Sequence, residues 1–295
     1  MTEEEFILQD RLNAIRDIIK KYGEDNFYLS FSGGKDSTVV HYLLDMAIPG
    51  NKIPRVFIDT GIEYNAIKEF VRNFNDDRLE IIKPTQNIKQ MLETVGYPFK
   101  SKEHTQKVME YQNTRKLTPH LVRYLDKSNG TRFRCPTILE YQFTDKCDLK
   151  ISHLCCTELK KKPVHKWEKQ NNRPIAITGM RAEEGGIRIQ LGCIVSRGGK
   201  VHRFNPLIKV TEDWERWFIN EYNIKLCELY YPPYNFEREG CKGCPFSLSL
   251  SHDLDVMEKL LPNERRQCEI IWAPMYNEYR RLGYRLKSEE QTTLF

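Results

Sequence analysis

The chain has 295 residues, with 46 basic against 41 acidic side chains for a formal charge of +5, and nine cysteines. That length suits one large α/β domain, alone or with extensions, and the mild basicity favours an anionic ligand without demanding nucleic acid. The start, Met1-Thr-Glu-Glu-Glu-Phe6, has no signal-peptide character and no apolar run approaches the ~18 residues of a membrane span, so no membrane contact and a cytoplasmic place are expected; an odd cysteine count in a reducing compartment points to metal or redox chemistry instead of a disulfide framework.

Residues 3–21 read as an amphipathic helix with Leu8, Leu12, Ile15 and Ile19 on one face, packing against a sheet or a partner. Residues 27–31 are aromatic and apolar enough for a buried strand, and Val39, Val40, Leu43, Leu44 and Ala47 recur at helical spacing just beyond. Between them lies Ser32-Gly33-Gly34-Lys35-Asp36-Ser37. Two glycines let the backbone turn sharply and approach a ligand, and the helix start presents unpaired N–H groups and the positive end of its dipole. Lys35 adds a point charge, Ser32 and Ser37 add hydroxyls, and Asp36 can hold the turn or a phosphate-bound metal ion. An ordinary strand-to-helix turn with Asp or Ser as N-cap is the plainer alternative.

Pro54–Asp59 reads as a second strand ending in Asp59-Thr60-Gly61; at the carboxyl end of a parallel strand, Asp59 would lie beside the first loop, or else serve as a helix cap. Ile67, Phe70, Val71 and Phe74 mark a helix, Leu79–Ile82 a short strand, and Ile88, Met91, Leu92 and Val95 another helix. Three strand-helix units in succession predict a doubly wound, parallel sheet. From 96 to about 150 the pattern loosens into an insertion with helices near 103–113 and 118–126 and a basic string, Arg132-Phe133-Arg134-Cys135-Pro136, read as functional or as a solvated decoration. The sheet resumes at Pro174–Gly179, followed by a glycine-containing loop with Arg181 and Arg188, residues able to grip phosphate or sulfate in a fork. A strand pair near Ile189–Val195 and Val201–Phe204 leads to a helix carrying Trp214, Trp217, Phe218 and Tyr222, whose spacing reads as core instead of a base-stacking platform. Helices and a polar tail from Lys287 complete the chain.

Two cysteine groups stand out: the tandem Cys155-Cys156 and the pair in Cys241-Lys242-Gly243-Cys244-Pro245. Four thiolates can close a tetrahedral zinc site or hold a [4Fe–4S] cubane, though adjacent cysteines suit one tetrahedral ion poorly. Buried, unliganded thiols are the plainer reading.

The loop departs from the Gly-x4-Gly-Lys-[Ser/Thr] pattern and resembles the Ser-Gly-Gly-x-Asp-Ser pyrophosphate loop (PP-loop) of the N-type ATP pyrophosphatases, in the Lys-containing form of the phosphoadenosine phosphosulfate (PAPS) reductase family. The order of loop, Cys-Cys and Cys-x2-Cys is similar to that family's iron–sulfur branch, which includes the adenylyl-sulfate (APS) reductases. Val56–Gly61 and Thr178-Gly179-Met180-Arg181 resemble its second-strand and Gly-x-Arg motifs, and the similarity covers roughly residues 25–250. The resemblance implies an adenine nucleotide α-hydrolase-like fold: residues 1–24 as an N-terminal helix, 25–250 as the PP-loop domain with its insertion, and 251–295 as a helical extension. It implies Cys155, Cys156, Cys241 and Cys244 as cluster ligands, and a nucleotide site of Ser32, Gly33, Gly34, Lys35, Asp36, Ser37, Asp59, Thr60, Gly61, Arg181 and Arg188, with Lys35, Asp36 and Arg181 catalytic.

Three readings follow: ATP- and Mg²⁺-dependent adenylation of an acceptor for sulfur insertion, with a sulfur or electron donor protein as partner and a nucleic acid as one candidate acceptor; reduction of APS or PAPS to sulfite; or nucleotide sensing without turnover. The reductases carry an attacking thiol on a C-terminal Glu-Cys-Gly-x-His segment, whereas Ser288–Phe295 holds none, and Cys268 falls within an expected helix from about Asn263 to Trp272. That departure, with family members that serve DNA phosphorothioation lacking the tail too, places adenylation first.

Overall fold

The computed structural model describes residues 1–128, 130, 134–237 and 240–287, so Arg132, Phe133 and the polar tail 288–295 lie outside the described residues. The chain divides into two compact units, Met1–Asp59 with Glu63–Pro84 and Lys162–Glu239, and Thr60–Ile62 with Thr85–Lys161 and Gly240–Phe295. Residues of the 96–150 stretch thus share a unit with the C-terminal helices.

The first unit is built on six strands, β1 (Phe27–Ser30), β2 (Arg55–Ile58), β3 (Leu79–Ile82), β4 (Ile175–Ile177), β5 (Ile194–Arg197) and β6 (Lys200–Phe204). Their order is β3-β2-β1-β4-β6-β5, parallel throughout except for the antiparallel β5–β6 edge. The chain winds outward from β1 through β2 to β3 and later returns to β4 on β1's other side. The carboxyl ends of β1 and β4 therefore flank the switch point, where open α/β sheets place ligands. Residues Ile189–Leu191, expected in a strand, instead belong to a short 3₁₀ turn and its end (Gly186–Gln190), and β5 begins only at Ile194. Gly185 and Gly186 precede it with positive φ, which starts a turn where a strand would need extended backbone.

Helix α1 (Glu3–Tyr22) buries Leu8, Leu12, Ile15 and Ile19 as the spacing requires, and Thr2 with Glu5 forms a capping box. It packs on α2 (Lys35–Ala47) and α8 (Glu212–Glu221), and Trp214 Nε1 donates to Glu4 O at 3.0 Å, so helices and not the sheet cover its apolar stripe. Helix α3 (Asn65–Arg72) follows β2, and α7 (Lys162–Asn171) lays Trp167 against Tyr28 at 5.1 Å between ring centroids and against Val56. On α8, Trp214 and Phe218 are core residues stacked at 5.2 Å, while Trp217 is half-buried and Tyr222, just past the helix, is 42% exposed.

A charge network ties α2 to the sheet: buried Arg55 binds Asp45 at 2.7 Å and His41 Nδ1 at 3.1 Å, and Arg78 binds Asp45 at 2.8 Å and Asp76 at 2.7 Å. His41, Asp45 and Asp76 converge within 4.8 Å as metal ligands would. Two guanidiniums already balance the carboxylates, and burial first, then Arg55, holds His41 down to about 4, so the group is an ion-pair lock.

The second unit holds α4 (Ile88–Val95), α5 (Lys102–Thr114), α6 (Pro119–Leu125), α9 (Leu250–Leu260) and α10 (Pro262–Leu282), with an isolated parallel β-bridge between Tyr97 and Ile151. Its core includes His104, fully buried between Tyr124 Oη at 2.9 Å and Gln142 Oε1 at 2.7 Å. Among the described residues no helix is long and apolar enough to cross a membrane.

Candidate functional site

The first site is the turn from β1 into α2. Gly33 adopts φ +73°, and a Cβ there would come within 2.7 Å of Val71 Cγ2, so the turn needs glycine. Gly34 is the N-cap and offers no side chain to the amides of α2's first turn. Ser32 and Ser37 do not cap that turn: their hydroxyls meet at 3.0 Å, Ser37 Oγ donates to Gly34 O at 2.9 Å, and Gly34 N donates to Ser32 Oγ at 3.2 Å. The serines shape the loop, leaving the helix start for an external anion. One amide is partnered from across the unit, Lys35 N donating to Tyr230 Oη at 2.8 Å.

Arg181, on the loop after β4, reaches this turn and donates from Nε to Asp36 Oδ1 at 2.9 Å. Gly179 permits the approach: a Cβ there would lie 2.8 Å from the Asp36 carbonyl carbon, its oxygen and its Cβ. Backbone cannot yield as a side-chain tip can, so Gly179→Ala is expected to push the two loops apart. Calorimetry should show affinity for inorganic pyrophosphate reduced by up to about 10²-fold, the cost of an ångström's misplacement; unchanged affinity would separate this contact from the anion site.

Two acidic residues of α8 complete the cluster, and sequence reasoning missed both. Lys35 Nζ lies 3.1 Å from Glu212 Oε1 and 3.5 Å from Glu215 Oε2, and Arg181 lies 3.7 and 3.6 Å from the same two carboxylates. Glu215 is fully buried, with neither carboxylate oxygen in a hydrogen bond to the described residues. Burial first, and the Asp36 charge second, push its carboxyl up, against the pull of Arg181 and Lys35. Glu212 behaves oppositely: despite its partial burial, hydrogen bonds from Lys35 and Arg216 hold it down to about 2. The available signal was Glu215's position between Trp214 and Phe218, a carboxylate inside the stripe already read as core.

The other expected members are placed differently. Asp59 is bound into the sheet edge through its N–H to Ile82 O at 2.9 Å. Thr60 and Gly61 fall in the second unit, where Ile62 O accepts from Lys242 N at 2.9 Å. Arg188 pairs with Glu184 at 3.0 Å.

The second site lies within the second unit. Cys155 and Cys156 have their sulfurs 4.0 Å apart and lead into a π-helical stretch, Thr157–Lys161, a local widening that recurs at functional positions. The hydrogen bond between the two thiols is the first cause of a split: Cys155 is pushed up by it and by burial, and Cys156 is held down by it, with Lys102, Lys160 and Lys161 helping against burial. Cys241 and Cys244 sit on a tight turn whose carbonyls are gripped by one face of α10. Trp272 Nε1 donates to Lys242 O at 3.1 Å, Tyr276 Oη to Gly243 O, and Tyr279 Oη to Pro245 O at 2.9 Å. Cys155 is within electrostatic reach of Cys156, Cys241 and Cys244, and Cys244 of Cys241 and Cys156. They are nonetheless not among the sets of three ligand atoms within 4.8 Å of one another, a description that only His41, Asp45 and Asp76 meet among the described residues. Cys268 is fully buried on α10, and burial pushes its thiol up to about 12.

Comparison with known proteins places a family model, "Phosphoadenosine phosphosulfate reductase domain", on residues 26–134 and 136–247. A GMP synthase (glutamine-hydrolyzing) of Thermosipho africanus is 40% identical over 76 residues, 25% of this chain and only 14% of that protein's length. Among solved structures, a PAPS reductase from Candida auris in complex with phosphate aligns over 82% of this chain and 96% of its own, at 14% identity and TM-score 0.43. The U34-tRNA thiolase NcsA from Methanococcus maripaludis, with its [4Fe-4S] cluster, aligns over 92% and 79%, at 17% identity and TM-score 0.38.

Proposed function

Because the chain belongs to the phosphoadenosine phosphosulfate reductase family, we propose that it binds an adenine nucleotide on the Ser32–Ser37 loop and uses ATP to adenylate an acceptor for sulfur transfer. The observation that carries this reading is the pair of cations, Lys35 and Arg181, drawn together at a helix start that its own N-cap leaves open. Such a pair suits a leaving group with two phosphates. An acceptor oxygen attacks the α-phosphorus, a P–O bond forms, the bond to the β-phosphate breaks, and pyrophosphate departs with the electron pair. A sulfide nucleophile then displaces AMP from the activated carbon. Lys35, Arg181 and the first amides of α2 neutralise charge on the departing pyrophosphate. Asp36, already oriented by Arg181, is the carboxylate that would hold a nucleotide-bound Mg²⁺, which would supply further neutralisation of phosphate charge.

Cys155, Cys156, Cys241 and Cys244 would hold a [4Fe–4S] cluster. Zn–S bonds of about 2.3 Å put the sulfurs of a tetrahedral zinc site about 3.8 Å apart, closer than this quartet's spread, whereas a cubane binds each thiolate to a different iron. Such a group supplies sulfide binding or one-electron transfer. Reduction of APS or PAPS is the second reading, favoured by the family's description. It needs a mobile, ionisable thiol, and Cys268 is neither exposed nor easily deprotonated.

The test is an anaerobic comparison of the cluster-loaded protein with ATP, APS and PAPS. We expect Mg²⁺-dependent ATP binding that pyrophosphate competes away, and no sulfite from either sulfated nucleotide. Sulfite formation that disappears in Cys268→Ser would make the protein a reductase.

A further inference from the structure

Beside the loop, within the first unit, is a cavity of about 560 Å³ that the nucleotide reading does not use. Lys35 lines one end of it. The rest of the wall comes from one side of α8, from Glu212 to Asn220, and from the segment after it, which contributes Tyr230, Tyr231 and Phe236. This is the segment whose Tyr230 hydroxyl accepts from the Lys35 amide. Asn220 and Asn223 line the same space. Both residues are exposed. Asn223 adopts φ +49°, a left-handed conformation that asparagine tolerates, so backbone geometry helps to choose it; Asn220 lies within α8 and has no such reason.

The volume falls in the range of small-molecule sites, which combine apolar and aromatic walls with a few convergent polar groups. Tyr231, 44% exposed, can offer a stacking face beside the more buried rings of Tyr230 and Phe236, and two amides, each carrying adjacent donors and acceptors, can read the edge of a planar ring. The charged lining is balanced, Lys35 and Arg216 against Glu212 and Glu237, so the body of the cavity has no excess positive charge to hold a second anion. A neutral, planar heteroaromatic with an amide-like edge fits this lining better than an aliphatic chain or a second phosphate.

We infer that this cavity is the acceptor pocket and that it takes a nucleobase, presented edge-on to Asn220 and Asn223 and stacked on the aromatic wall. The inference rests on the adenylation reading, in which a carbonyl oxygen of the base is the attacking atom and Lys35 marks the end where the phosphates lie. The base comes either from an acceptor or from ATP itself, and the two sources respond differently to the same substitutions.

The experiment titrates the full-length protein by calorimetry with each of the four ribonucleosides, with and without saturating MgATP, in wild type, Tyr231→Ala and Asn220→Ala. Tyr231 is 44% exposed and Asn220 is exposed, so both variants should fold, as circular dichroism would check. Expected is binding of at least one nucleoside while ATP is bound, weakened about tenfold or more in Tyr231→Ala, as loss of a stacking face predicts, with ATP affinity unchanged. A changed order of preference among the nucleosides in Asn220→Ala would support edge recognition. If ATP affinity falls in step with nucleoside affinity, the pocket holds the nucleotide's own adenine and the acceptor assignment is overturned. Absence of nucleoside binding, or equal affinity in all three proteins, overturns the pocket itself. Failure of wild type to bind ATP at all would instead sink the adenylation reading, while the nucleoside titrations still report on the cavity.

Discussion

Lys35→Ala is expected to reduce ATP-dependent pyrophosphate release by about 10²–10³-fold, the usual cost of removing one preorganised charge donor from a developing anion. The same substitution should also cost stability, which the sequence alone would not suggest for a loop lysine. The Lys35 side chain is only 13% exposed and stands 3.5 Å from Glu215, a fully buried carboxylate. Without Lys35, Glu215 keeps Arg181 at 3.6 Å as its cation and can also take up a proton, so the loss should stay on the order of 2 kcal/mol, below that of a completely orphaned charge. In thermal melts that is several degrees. Glu215→Gln in the Lys35→Ala background should return most of the melting temperature and none of the turnover, because a permanently neutral side chain suits a site whose burial already disfavours the carboxylate, and it does not restore the donor. Wild-type ATP affinity in Lys35→Ala would refute the site; an unshifted melt would refute the electrostatic link to Glu215.

Local pattern decides how much of this was legible in advance. The stripe of Leu8, Leu12, Ile15 and Ile19, the apolar strand before Ser32 and the glycines of the turn are short-range signals, and each appears in the structure where spacing puts it. Lys35, Asp36 and Arg181 were candidates because their loops follow strands, and parallel pairing of β1 with β4 brings those loops together. Glu212 and Glu215 are over 170 residues from Lys35 in sequence, and a carboxylate in a helix reads as solvated unless its neighbours are known. Arg188 was a candidate for its place on a glycine-containing loop, and its guanidinium pairs locally with Glu184 four residues earlier. Helix α7 escaped notice because its apolar face is little more than Val164 and Trp167, too few positions to reveal a period. Tyr230 could not have been found at all, since its role depends on where the segment after α8 crosses the unit.

The cluster prediction can be made without reference to turnover. Protein purified without oxygen should be brown, with about four irons and four sulfides per chain, and Cys244→Ser should lose most of the colour and iron. The steric argument supplies an independent variant. Gly243 adopts φ +60°, and a Cβ on it would lie 2.7 Å from Cys268 Sγ and would also meet the Tyr276 hydroxyl. Gly243→Ala leaves all four thiols in place yet should strip the metal and lower the melting temperature, because the turn is fixed by Trp272, Tyr276 and Tyr279 of α10 and cannot retreat. Cys268→Ser, which removes a buried thiol outside the quartet, should keep iron and colour. Iron and sulfide analysis with visible spectra on the three variants decides the matter: colourless wild type with one zinc per chain would replace the cluster with a structural ion. Full iron in Gly243→Ala would mean that the turn is looser than its contacts imply, and loss of colour in Cys268→Ser would bring that thiol into the ligand set.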